Sequence, residues 1–377
     1  MNFSALLRVG FWVPLLVGVA SQEQAPLGAE DPVSETQEMR LIACVEPSEN
    51  SRLLEAEWKA AQSSTKFPMS WIDNPADELC AGLPADEYPS IRLLRDGQPS
   101  VEYPGPRTSD EILRFLSRAE RCSQAPVATL SAKEVDSFKD VDDFVCIGHL
   151  SPDTAARQAF EAVASKYWTE FTFGVVDNSP DVIEAKVVCH KRDDESVHTR
   201  SADDKLEAWV VEASRPVIAE LTRSNHQRFL DRGWPMVYIF SPSPQVRASI
   251  RDDLHDFAKK QYSSLTAVTV DPTYFPDLPA ELGLNPSEDG YPAGAVHQLS
   301  NGRIYPYPKG RALTPRELQG WGLDVWQGRV RPWTPPGQKP AEDVGGGNVR
   351  ITGSRSLKVK NIPGLKIKIG GRERDEL

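Results

Sequence analysis

Tyr88-Pro89-Ser90-Ile91-Arg92-Leu93-Leu94-Arg95-Asp96-Gly97 decides how this chain is read, because its pattern occurs twice. A β-prone stretch, residues 90–94, runs into the Asp96-Gly97 turn, then Tyr103-Pro104, Arg107, Thr108 and a helix-like stretch 110–118. The second copy opens at Tyr291-Pro292 and continues through 293–299, Asn301-Gly302, Tyr307-Pro308, Arg311, Thr314 and helix-like 317–326. Asp-Gly and Asn-Gly between alternating stretches signal hairpins, since glycine takes positive φ without steric cost. Thr108 and Thr314 stand where N-caps belong. Tyr-Pro at matched places predicts cis bonds before Pro89 and Pro292, because proline makes the cis form cheap. The copies lie about 204 residues apart, so one more unit of about 100 residues fits between them.

That middle stretch has the expected content: strand-like 143–149, helix-like 155–167, strand-like 170–176 and 185–190, and helix-like 203–211. Each unit reads as strand, helix, strand, hairpin, helix, an α/β pattern built on a central mixed sheet. Unit boundaries fall near 122–126, 223–225 and 335–337.

The ends read as addresses. Residues 1–20 hold Arg8, the apolar run 9–20, and small residues Gly18 and Ala20 before Ser21. That is the pattern of a secretory signal peptide, and the run is short for a bilayer span. Arg374-Asp375-Glu376-Leu377 closely resembles the retrieval tetrapeptide of the endoplasmic reticulum. The two together predict residence in the lumen of that organelle, with a retrieval receptor as one partner. A net charge of −11 argues against nucleic acid and against anionic membrane surfaces. Beyond residue 335 the chain turns Gly-rich and basic, with too few large apolar residues for a core, and reads as a linker and solvated tail.

Five cysteines, Cys44, Cys80, Cys122, Cys146 and Cys189, are scattered with no Cys-x-x-Cys pair. No histidine sits at ligand spacing from them, so no metal is expected, and no phosphate-cradling loop implies a cofactor. Packing as small buried hydrophobes is the plain reading for most of them.

Residues 88–97 with 103–108, 221–225 with 234–240, and 322–340 together resemble the protein disulfide isomerase family, chains of thioredoxin-like domains ordered a, b, b′, a′. The resemblance spans roughly residues 37–340. It implies three tandem thioredoxin-like domains: an a domain (37–123), a b domain (124–223) and a b′ domain (224–335). A signal peptide (1–20) and an extension (21–36) precede them, and a linker and basic tail (336–377) follow. Where a′ would begin the chain supplies only a short tail. Either that domain has been shed or the reading frame is wrong there, and the in-frame retrieval signal favours a real short product.

The family's catalytic Cys-Gly-His-Cys falls on Ser48-Glu49-Asn50-Ser51. A catalytic cysteine at a helix N-terminus is held as thiolate by the dipole and free N–H groups; a serine there stays protonated and instead caps the helix. The family's buried proton-shuttling glutamate falls on Ile42. Its pKa-tuning arginine matches Arg107, which has no thiol to tune. The a domain is therefore expected to be redox-inactive. By the same resemblance Cys44 lies in the first strand as packing, Cys80 lies in the helix before Tyr88, and Cys122 lies in the a–b linker as the most exposed thiol. Cys146 and Cys189 fall on neighbouring strands, where packing and pairing are both open, adjacent strands rarely giving good disulfide geometry.

The expected function is non-catalytic binding of unfolded or nascent secretory chains, a chaperone role, through an apolar b′ cleft. Candidate cleft residues are Phe240, Leu254, Phe257, Val268, Val270 and Phe275, each of which core packing would equally explain. Two alternatives stand beside it. One is a thiol oxidoreductase or isomerase using non-standard cysteines. The other is an adaptor for a redox-active oxidoreductase.

Overall fold

The computed structural model describes residues 39–337 apart from 85–86, 123–124, 178–184 and 202–204. The expected signal peptide, the extension and the tail ending in Arg374–Leu377 lie outside the described residues. No helix among the described residues is long and apolar enough to cross a membrane.

The first unit contains β1 (Met39–Cys44), α1 (Glu49–Ser64), β2 (Met69–Ile72), β3 (Ser90–Arg95), β4 (Val101–Glu102) and α2 (Ser109–Arg121). Its sheet runs β2-β1-β3-β4, with β1 parallel to β2 and antiparallel to β3. The second unit contains β5 (Ala128–Leu130), α3 (Val135–Phe138), β6 (Phe144–Leu150), α4 (Ala155–Tyr167), β7 (Thr172–Asp177), β8 (Lys186–Lys191), β9 (Ser196–Ser201) and α5 (Leu206–Ala213). The third contains β10 (Ile218–Glu220), α6 (Arg223–Asp231), β11 (Met236–Phe240), α7 (Pro244–Gln261), β12 (Thr266–Val270), α8 (Leu278–Glu281), α9 (Pro286–Asp289), β13 (Ala293–Gln298), β14 (Arg303–Pro306) and α10 (Pro315–Trp326).

Sheet orders β5-β7-β6-β8-β9 and β10-β12-β11-β13-β14 are the same topology, three parallel strands followed by an antiparallel hairpin. The first unit repeats the last four places of it. These are three tandem thioredoxin-like domains. Central strands such as Phe-Val-Cys-Ile-Gly-His-Leu in β6 are apolar nearly throughout because helices cover both faces. The third unit begins earlier than residue 224, since β10 pairs with β12. That short strand has too few residues to show a period.

The cysteine reading is corrected. Cys44 bonds Cys80, and Cys146 bonds Cys189, leaving Cys122 as the free thiol. Register explains the second pair: Cys146 stands directly opposite Cys189 across β6 and β8, so both side chains leave the same face. Cys80 sits in a run of turns and not in a helix, which lets the chain bring it under the end of β1. One cap also differs. Thr314 accepts from the Glu317 N–H as expected, whereas Thr108 makes no side-chain cap and Glu57 of α1 accepts from the Ser109 N–H at 2.8 Å.

Charged and aromatic groups join the first unit to the second. Arg118 of α2 reaches buried Asp142 at 2.9 Å, and Arg114 meets Asp143. Trp168 stacks on Phe115, ring centroids 6.0 Å apart, with the Arg95 guanidinium 4.7 Å from the Trp168 ring. The second joins the third through Arg228–Glu170 and through Arg215, whose guanidinium lies 3.4 Å over the Tyr262 ring.

Candidate functional site

The turn after β1, running into α1, carries Ser48 and Ser51, the pair expected in place of catalytic cysteines. Ser48 has extended backbone, and its hydroxyl accepts from the Ser51 N–H at 3.2 Å, so it is the N-cap of α1. The Ser48 and Ser51 hydroxyls are 3.0 Å apart and share one hydrogen bond. Two sulfurs there could exchange electrons; two hydroxyls cannot. The register Cys44↔Ser90 brings Pro89 beside the end of β1, where the chain turns toward Ser48. The Tyr88–Pro89 bond is cis, as is Tyr291–Pro292. Ile42 is fully buried against the Cys44–Cys80 bridge, and no carboxylate takes its place. Arg107 donates from Nη2 to the Pro89 carbonyl at 2.5 Å. Every histidine of the chain lies at or beyond His149, so the first unit has no imidazole to activate a hydroxyl. Among the described residues no cluster could hold a metal ion.

The six cleft candidates do not form one site. Phe240, Val268 and Val270 are fully buried beneath one face of the third sheet, packed with Tyr238 and Leu282. Leu254 belongs to the opposite face with Ile250 and Ala258, and half-buried Phe257 rides on the same helix, α7. The first face carries an apolar rim. Its cover is α6 and the single turn α8, and half-buried Phe275, Leu278, Leu284, Leu299 and Ile304 line it. Of the six, only Phe275 lies on that rim. β12 reads Thr-Ala-Val-Thr-Val and is buried throughout, so its sequence could not disclose which face was covered.

Sequence reasoning also missed Trp333. Its N–H donates to the Ile304 carbonyl at 2.7 Å, adding a one-residue bridge beside β14. Its ring lies so close to Gly283 that a Cβ there would meet it at 2.5 Å, which accounts for glycine at that position, where φ is +73. The segment after α10 thus lies over one end of the apolar face.

His226 stands in the same wall, edge-on to Phe275 at 5.5 Å and to Tyr238 at 6.3 Å. Burial holds its pKa below the ordinary imidazole value, and it does the same for His149, His190, His198 and His297. Each binds a proton more readily when unfolded, near pH 6.5, than when folded. The stability they contribute is therefore complete above about pH 6.5 and is lost as pH falls through the lowered values. Buried Glu111, raised by burial, acts in the opposite sense over its own range. The melting temperature should fall between pH 7 and pH 5.5, and His226→Phe should blunt the fall; a flat or rising profile would contradict this sign.

A thioredoxin-like domain profile matches residues 149–322. The protein disulfide-isomerase of Aspergillus niger is 26% identical over 276 residues, covering 71% of this chain and 53% of the relative. Bloodstream-specific protein 2 of Trypanosoma brucei brucei is 27% identical over 298 residues, covering 74% of this chain and 57% of that protein. Among solved structures, human ERp44 aligns with a TM-score of 0.37 at 14% identity, over 78% of this chain and 85% of that one. The chain spans about half the length of the curated relatives it matches. The repeated topology and the profile match make this a chain of thioredoxin-like domains, similar in sequence to protein disulfide-isomerases.

Proposed function

We propose that the protein is a redox-inactive, disulfide-isomerase-like chaperone of the endoplasmic reticulum lumen that binds unfolded or partly folded client chains in its third unit. The observation that carries the binding role is the half-buried apolar rim Phe275, Leu278, Leu284, Leu299 and Ile304, with Trp333 lying over one end. An apolar strip beside a sheet edge suits an extended hydrophobic segment, and Trp333 covers one end of it. Redox inactivity rests on the serine pair and on Ile42. The remaining thiol supports the same reading, since burial pushes Cys122 up despite the nearby Arg95 and Arg121, which leaves little thiolate at neutral pH.

A labelled apolar peptide measured by fluorescence anisotropy tests this. Phe275→Asp should weaken binding by roughly tenfold to a hundredfold, the worth of one buried aromatic contact. Trp333→Ala should strengthen it by uncovering the rim. Thermal unfolding of both variants separates lost binding from lost fold. A folded Phe275→Asp variant with unchanged affinity would remove the third unit as the client site. In parallel, scrambled ribonuclease should regain activity no faster with the protein than without it; turnover would sink the non-catalytic half of the reading.

A further inference from the structure

On the side of Pro89 the degenerate site faces the third unit. The loop after β12 reaches across to it from the third unit. Arg107 is fixed at one edge by its bond to the Pro89 carbonyl, and its flat face lies 3.7 Å from the centre of the Tyr274 ring. Tyr274 donates its hydroxyl to the Gly105 carbonyl at 3.4 Å, and burial pushes its phenol up to about 12, so it remains a neutral donor. Within the Ser48–Ser51 turn, Asn50 donates to the Thr273 carbonyl at 3.4 Å. Ser224 to the Pro104 carbonyl and Gln245 to Glu57 add peripheral contacts at 3.3 and 3.4 Å. A cavity of about 380 Å³ remains between the units, walled by Pro89, Ile91, Tyr103, Arg107, Ser224 and Tyr274.

We infer that the site has become an intramolecular dock for an aromatic side chain: the first unit binds residues 271–275 through Tyr274 and so holds the third unit in place. A working thiolate must be reachable by an incoming disulfide, and here the loop of the third unit stands beside the approach past Pro89. Ser48 and Ser51 offer Arg107 no thiol to tune, and a guanidinium over a desolvated aromatic face is an attractive contact in its own right. The ligand is preorganised. Asp271 Oδ1 accepts from both the N–H and the hydroxyl of Thr273, at 2.9 and 2.7 Å. Buried Arg247 pairs with Asp271 at 3.2 Å and with Glu220 at 2.5 Å, tying the loop to the frame of its own unit. A loop held in its bound shape loses little entropy on docking.

Helices α1 and α7 come within reach at Glu57 and Gln245, away from the aromatic contact, and this supplies the reporter. A full-length Glu57→Cys/Gln245→Cys variant in a Cys122→Ser background should be joined rapidly by a short bis-methanethiosulfonate linker. Adding Tyr274→Ala or Arg107→Ala should slow joining by roughly tenfold, while Tyr274→Phe, which keeps the ring, should not. Far-UV circular dichroism checks that each variant is folded, and Arg107→Ala carries the decision should Tyr274→Ala unfold. Equal joining rates in the folded alanine variants and the parent would overturn the dock. So would a Tyr274→Phe variant as slow as Tyr274→Ala.

Discussion

Asp142→Ala should destabilise the protein by about 3–5 kcal/mol, the cost of leaving a buried charge without its counter-ion. Asp142 is buried and accepts from Arg118 Nη1 at 2.9 and 3.1 Å, from the Thr172 hydroxyl at 2.6 Å and from the Asp143 N–H at 2.9 Å. Removing it strands three donors, one of them a guanidinium that is itself buried. Urea unfolding of the full chain measures the loss. Because α2 and β6 meet here, the first unit should come apart from the second before either unfolds. The double variant Arg118→Met/Asp142→Leu should recover most of the deficit, since apolar replacements of both partners abolish the desolvation cost as well as the attraction. A single-variant loss under 1 kcal/mol would mean that water reaches the pair.

The second large effect belongs to the cross-strand bridge. Cys146→Ala/Cys189→Ala should lower stability by about 4 kcal/mol, the loop-entropy value for residues 43 apart in sequence. Both cysteines are fully buried among Phe160, Phe173 and Val187, so the loss of packing adds to it. Pairing itself is checked first. Unfolded protein alkylated without reductant should gain one adduct, on Cys122, and five after reduction. More than one adduct before reduction would refute at least one bridge.

Local chemistry announced some of this structure and was silent on the rest. Helix α4 falls on the expected residues 155–167, and β3, β13 and α10 lie within two residues of theirs, because turn glycines, Tyr-Pro pairs and apolar periods are written within a dozen neighbouring residues. Strands β5 and β10 are three residues each and show no period. β9 alternates half-buried and exposed positions, and its one apolar residue, Val197, is on the exposed side, so it has no apolar face to betray it. The serine pair was located by the family resemblance. Its occupant was not: Arg107 and Tyr274 meet across 167 positions, and nothing near either residue names the other. The disulfides were hidden for the same reason, since pairing depends on register and on which face each sulfur leaves. Buried strands apolar on both sides also concealed that Leu254 and Val270 serve opposite faces.

First to second, second to third and third back to first, each pair of units is in contact, and this closes a ring where the order along the chain would permit a string. In a string every joint opens on its own. In a ring, two closed joints confine the third pair of surfaces to a small shared volume, and the effective concentration of one for the other is far above what free units would experience. Contacts as slight as Asn50 to Thr273 or Gln245 to Glu57 would be seldom made by separate domains, yet they persist under that confinement. The same closure makes the joints interdependent. A variant at Asp142 should therefore also slow the joining of α1 to α7 that reports on Tyr274.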